Sequence, residues 1–194
     1  MGFRRDIWHL RSAFYQKSLS LPFISSLHQS ELDGLKSLLS YIQHIPKSLL
    51  DIGFGSGGSL SVFPETTTIF ALDWSPAMMK QTNRLSHQIH PIAGDALTLP
   101  AKSGSFPLVS AIGLLEYIED KSAFLLEVGR ILSPGGHALL TFAPPNLFNR
   151  MRIIHGQRLF FISKELWEDI LSEHWQIIQR RSTLLQEQFL IRKK

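Results

Sequence analysis

Leu49-Leu50-Asp51-Ile52-Gly53-Phe54-Gly55-Ser56-Gly57-Gly58 decides the fold. A short apolar run of strand length ends in a cluster of glycines. Missing Cβ atoms let the chain turn tightly there, and amide N–H groups at the following helix start face a ligand as donors. Gly53, Gly55 and Gly58 satisfy G-x-G-x-x-G, and Asp73 stands twenty residues beyond Gly53, where a carboxylate can take a ribose hydroxyl. The glycines alone do not choose the ligand. Asp51 bears on the choice, because a carboxylate two residues before the first glycine opposes a pyrophosphate and favours an ammonium or sulfonium charge. Its other role would be that of a strand-end carboxylate hydrogen-bonded to turn amides.

Outward from that loop, β-rich runs at 48–52, 67–72, 89–93, 108–112 and 137–142 alternate with helical patterns at 76–87 and 121–132. Such alternation predicts a parallel α/β sheet with helices on both faces. Pro64 cuts the stretch after Gly58, so the first helix of this core is expected to have only about two turns. Beyond residue 160 a helix is expected at 163–173, then strands at 175–181 and 188–192 close enough in sequence to pair antiparallel. Upstream, Leu35, Leu38, Leu39 and Ile42 predict a helix over 30–44 that stops before Pro46. Phe3, Ile7, Leu10 and Phe14, with Arg4, Arg5, Arg11 and Lys17 around the wheel, predict a basic amphipathic helix ended by the serine-rich stretch and Pro22. The expected organisation is an N-terminal helical cap at 1–45 and a sheet domain at 46–194.

The 194 residues suit one globular domain of this kind, and the absence of cysteine excludes disulfides and thiol chemistry. No apolar run approaches the roughly 20 residues of a membrane span. His9, Arg11 and Gln16 interrupt the N-terminus as a signal peptide, and Asp6 stands where a myristoylation signal wants Ser or Thr. These readings predict a cytoplasmic protein. The net charge of +4 is uneven: +3 over residues 1–50, −3 over 51–149 and +4 over 150–194. An acidic centre suits an amine-bearing ligand, and basic flanks suit an acidic substrate, an anionic membrane or nucleic acid, or simply solubility.

With these residues in view, the segment from Asp51 to Gly57 resembles the D/E-x-G-x-G-x-G loop of class I S-adenosylmethionine-dependent methyltransferases, especially the small-molecule group called type 11. Four further segments resemble that family in order and spacing. These are Ala71-Leu72-Asp73-Trp74-Ser75-Pro76, Gly94-Asp95-Ala96-Leu97-Thr98-Leu99-Pro100, the stretch 106–119, and Arg130-Ile131-Leu132-Ser133-Pro134-Gly135-Gly136. The resemblance covers roughly residues 47–145. It implies a Rossmann-like sheet of order 3-2-1-4-5-7-6 with strand 7 antiparallel. It also implies a cofactor, S-adenosylmethionine, held by Asp51, Gly53, Phe54, Gly55, Gly57, Asp73, Trp74, Asp95, Ala96 and Ile112. Asp73 would take the ribose hydroxyls, Asp95 the adenine amino group, and the backbone of Ala96 the ring.

Departures from the family pattern fall near the chemistry. Phe54 occupies a position often filled by Cys, where it either closes over the cofactor or packs beneath it. Tyr117 replaces a histidine that serves some relatives as base. Methyl transfer from a sulfonium needs alignment and water exclusion more than a base; the base candidates are Tyr117, Glu116, His155 and His9. No metal cluster is expected. Residues 144–162 combine apolar side chains with Arg150, Arg152 and Arg158 and resemble a substrate lid suited to an apolar molecule with an acidic group. The expected acceptor is therefore a small, lipophilic or acidic molecule. Competing readings are an RNA or protein methyltransferase, a nicotinamide-dependent oxidoreductase, and a non-catalytic partner subunit that touches a membrane through Phe3, Trp8 and Phe14.

Overall fold

The computed structural model describes residues 22–75, 86–147, 149–150 and 158–194. The expected helices at 1–21 and over most of 76–87, the candidate bases His9 and His155, and the middle of the 144–162 segment lie outside the described residues. Seven strands form one sheet: β1 (Ser48–Ile52), β2 (Thr68–Asp73), β3 (Ile89–Ala93), β4 (Phe106–Ala111), β5 (Leu132–Phe142), β6 (Trp175–Ser182) and β7 (Glu187–Lys193). Their order is β3-β2-β1-β4-β5-β7-β6. The first five are parallel, while β7 runs antiparallel to both β5 and β6. This is the Rossmann-like order implied by the family resemblance.

The central strands β1, β4, β5 and β7 are buried on both faces, and their period of two sorts side chains into two cores. Leu50, Ile52, Val109, Ala138, Leu140, Phe189 and Ile191 point to one face, where α2 (Lys121–Ile131) and α3 (Lys164–His174) pack through Phe124, Val128, Trp167 and Leu171. Leu49, Leu108, Leu139 and Leu190 point to the other, against Leu35, Leu38 and Leu39 of α1 (Pro22–Leu39). Helix starts follow their caps. Asp120 accepts from Ala123 N at 2.9 Å to open α2, and Ser163 accepts from Leu166 N at 3.3 Å to open α3.

Three expectations are corrected. The helix before β1 spans Pro22–Leu39 rather than 30–44. Proline costs no hydrogen bond at a first helical position, so Pro22 starts a helix instead of ending one. At the other end Tyr41 N and Ile42 N bond to the carbonyls of Leu38 and Leu39, three residues back, so the chain tightens and leaves the helix before residue 44. After the glycine loop there is not a two-turn helix but a single 3₁₀ turn, Leu60–Val62. Phe63 is extended at ψ 151°, the conformation imposed on a residue preceding proline, here Pro64. Strand β5 also starts earlier than expected. Leu132 pairs with Phe106, and an irregularity then absorbs Pro134-Gly135-Gly136, with Gly135 at φ +74°, before regular pairing resumes at His137.

Candidate functional site

The carboxyl ends of β1 to β5 open on one edge of the sheet, and the strand order reverses between β1 and β4. That crevice is where open α/β sheets bind ligands. Gly53, Gly55 and Gly57 have φ of +72°, +56° and +75°, so glycine is required at each for the chain to fold back over the end of β1. The loop is tied to β2. Gly53 N donates to Leu72 O at 2.7 Å, and Gly55 N donates to Asp73 Oδ2 at 3.0 Å. A Cβ on Gly53 would come within 2.8 Å of Leu114 Cδ1, which shows how closely the turn after β4 covers the loop.

Asp51 is 1% exposed at the end of β1, facing Ser110 of β4, whose hydroxyl donates to its Oδ1. It therefore does not serve as acceptor for the turn amides. Asp73 does, accepting from Gly55 N and, at 2.8 Å, from Ser75 N. A carboxylate has about four acceptor sites, so Asp73 keeps acceptor capacity for the ribose beside these amides. Burial pushes Asp51 up to about 7, against the Ser110 hydrogen bond, and the neighbouring Asp73 charge adds to the rise. Burial also raises Asp73, while the amides of Ser75, Gly55 and Trp74 oppose that rise. Two carboxylates raised by burial, Asp51 further by the charge of Asp73, form a site that gains most from a cation.

The other expected residues surround these. Phe54 is 4% exposed and belongs to the core on the α1 side, so it packs beneath the loop and does not close over it. Trp74 is 53% exposed beside Asp73, an apolar plane left in water at the rim. Asp95 accepts from Leu97 N at 2.9 Å and is exposed, with Ala96 half-buried next to it. Ile112 is half-buried at the end of β4, and Gly113 N donates to Thr141 Oγ1 of β5 at 2.8 Å.

Glu116 and Tyr117 occupy a 3₁₀ turn, Leu115–Tyr117, that follows β4. Tyr117 is half-buried, whereas Glu116 is 3% exposed and acts electrostatically on Lys121. Lys121, 7% exposed, donates to Ile118 O at 2.9 Å and to Phe160 O at 2.8 Å, and Phe160 N donates to Glu116 O at 2.7 Å. This knot fixes one end of the 144–162 segment to the turn carrying Tyr117. Asn149, 1% exposed, fixes the other end through Pro144 O and Leu185 O. Sequence reasoning missed Ser110, Thr141, Lys121 and Asn149. A hydroxyl in the middle of a buried strand was the available signal for the first two, since it must find a partner. Among the described residues no group of three His, Asp or Glu side chains could hold a metal ion.

The donor set fits S-adenosylmethionine on structural grounds: a buried carboxylate for an ammonium, a second carboxylate with free lone pairs for a diol, and a glycine cradle. Residues 50–140 match a family model described as "Methyltransferase domain". The chain is 31% identical over 160 residues to a malonyl-[acyl-carrier protein] O-methyltransferase of Xylella fastidiosa, covering 78% of this chain and 54% of that protein. It is 34% identical over 111 residues to norajmaline N-methyltransferase of Rauvolfia serpentina, covering 53% of this chain and 38% of that one. It thus spans about half the length, or less, of these curated relatives. The fold superposes with a TM-score of 0.78 on magnesium protoporphyrin IX methyltransferase from Synechocystis, solved with bound SAH, at 16% identity and 98% coverage of both chains. The chain contains a class I S-adenosylmethionine-dependent methyltransferase domain of the type 11 group.

Proposed function

We propose that this protein transfers a methyl group from S-adenosylmethionine to a small lipophilic or acidic molecule. The observation that carries the reading is the paired carboxylates, Asp51 buried at the end of β1 and Asp73 at the end of β2, set about a loop of three positive-φ glycines. Asp51 holds the ammonium of the cofactor's amino-acid tail, Asp73 the ribose, Asp95 and Ala96 the adenine. Trp74 and Ile112 flank the nucleoside with apolar surface, and Gly53, Gly55 and Gly57 let the backbone approach it; Phe54 supports them from below. When bound, S-adenosylmethionine supplies a methyl group already activated on a sulfonium.

The chain's own work is then to orient and to exclude water. Tyr117 sits on the turn after β4, the wall facing the acceptor, and orients the incoming nucleophile. Glu116 serves that wall indirectly, through its charge on buried Lys121. Lys121 and Asn149 hold the two ends of segment 144–162, which we assign as the acceptor's cover. Arg150 and Arg158 on that segment suit an acidic acceptor, and the malonyl group in the first relative's name is one such chemistry. The two relatives differ in acceptor atom, O in one and N in the other, so similarity leaves the atom to experiment. Residues 1–45 complete the site as a cap in this reading.

The runner-up is a protein or RNA acceptor, favoured by the +4 charge of residues 150–194. A non-catalytic partner subunit is the other alternative. We place the protein in the cytoplasm; contact of the basic aromatic N-terminus with an anionic membrane surface is the alternative to its role as a cap, and no helix among the described residues is long and apolar enough to cross a membrane. Transfer of radiolabelled methyl from S-adenosylmethionine to a panel of lipophilic carboxylic acids, against tRNA and an acyl carrier protein, tests the acceptor class. Label in the small acids supports the proposal. Label only in a macromolecule selects the runner-up, and none in any arm refutes the small-acid reading.

A further inference from the structure

One imidazole stands beside the glycine loop without a protein partner among the described residues. His28 is half-buried on α1, and a Cβ placed on Gly58 would stand 3.8 Å from its Nε2. Helix α1 therefore brings a ring nitrogen to the point where the glycine loop passes into its 3₁₀ turn. Among the described residues His28 makes no hydrogen bond or ion pair, and burial alone acts on it. A half-buried ring nitrogen without a protein partner is free to meet a polar group of a ligand.

Among the described residues, charge on the glycine loop and at the ends of β1 to β3 is one-sided. Asp51, Asp73 and Asp95 line the ends of β1, β2 and β3, and the loop from Asp51 to Ser59 contains no Lys, Arg or His. An α-amino acid tail laid on this loop brings an ammonium and a carboxylate together. Asp51 answers the first. The carboxylate, placed near two acidic side chains, needs a donor that the loop's own side chains do not provide beyond the hydroxyls of Ser56 and Ser59. Among the described residues, His28 is an unpaired donor beside the loop, its Nε2 3.8 Å from where a Gly58 Cβ would stand.

We propose that His28 donates a hydrogen bond to the carboxylate of the cofactor's amino-acid tail, so that α1 and Asp51 grip the two opposite charges of one zwitterion. The inference rests on the S-adenosylmethionine reading above. It gives α1 a binding role in addition to its packing against β7, and it makes the tail, not only the nucleoside, a determinant of recognition. Burial holds the ring below its ordinary value of 6.5, which keeps it a neutral N–H donor near pH 7; a carboxylate against it favours the imidazolium and strengthens the bond.

The test is calorimetric binding of S-adenosylmethionine and of decarboxylated S-adenosylmethionine to the full chain and to His28→Gln and His28→Ala. The second ligand keeps the sulfonium and the amine and lacks only the carboxylate. The expected result is that His28→Ala binds S-adenosylmethionine about tenfold or more weakly, the range for a hydrogen bond to a charged group, while His28→Gln, which keeps an N–H donor, recovers part of that loss. Decarboxylated ligand should bind variants and wild type within about twofold, which also shows that the variants are folded. Equal effects on both ligands, or no effect on either, overturn the assignment of His28 and leave the cofactor reading standing. Failure of the wild type to bind either ligand overturns both.

Discussion

Asp51 makes stability depend on pH in a direction opposite to that of most carboxylates. In the unfolded chain it ionises near 3.8; folded, burial moves it to about 7. Between those values the folded state holds one more proton than the unfolded state, so stability falls as pH rises through that window and levels off above it. At about 1.36 kcal/mol per pH unit the whole span corresponds to about 4 kcal/mol, and the part between pH 5 and pH 8 to about 2–3 kcal/mol. Asp51→Asn keeps an acceptor for the Ser110 hydroxyl and removes the titration. Urea unfolding at constant ionic strength should show wild type losing about 2–3 kcal/mol relative to Asp51→Asn between pH 5 and pH 8. For a chain of this size that is a change of roughly 5–10 °C in the difference between their Tm values. Other groups titrate in both proteins, so the difference isolates Asp51. A ligand ammonium reverses the preference by stabilising the ionised form, so S-adenosylhomocysteine should bind more tightly as pH rises toward 7 and should flatten the slope at saturation. Parallel pH profiles for wild type and Asp51→Asn would show that Asp51 does not take up a proton on folding.

Two further perturbations follow from the same geometry. Gly53→Ala places a Cβ at φ +72° and 2.8 Å from Leu114 Cδ1, so it should cost about 1–2 kcal/mol from the backbone alone and weaken S-adenosylhomocysteine binding; an unchanged Tm and Kd would contradict it. Lys121→Met leaves the carbonyls of Ile118 and Phe160 without their ammonium donor, at a cost of about 2–3 kcal/mol. Hydrogen exchange at the Phe160 amide, which donates to Glu116 O, should accelerate in that variant, and unchanged exchange would remove Lys121 from the account.

The sheet was legible because its strands are short apolar runs bounded by glycine and proline, and because the glycine loop, Asp73 and Asp95 each fall at a strand end. What escaped was what depends on partners distant in sequence. Pro22 reads as a helix stop until the helix it opens is found to pack Leu35 and Leu38 against Leu139 and Leu190. Ser110 reads as one residue of a strand until β4 pairs beside β1 and sets its hydroxyl on Asp51, 59 residues earlier. Lys121 reads as a solvated charge at a helix start until Phe160 arrives from 39 residues away. Spacing along a chain shows faces and ends of elements, whereas these contacts depend on which ends the sheet order brings together.

The most direct measurement of the central claim is calorimetric titration of the full chain with S-adenosylhomocysteine, with NAD and the Asp73→Ala variant as controls. Micromolar binding of S-adenosylhomocysteine, its loss in Asp73→Ala, and no binding of NAD are expected. Binding of NAD in preference, or S-adenosylhomocysteine affinity unaffected by removing the Asp73 carboxylate, would contradict that claim.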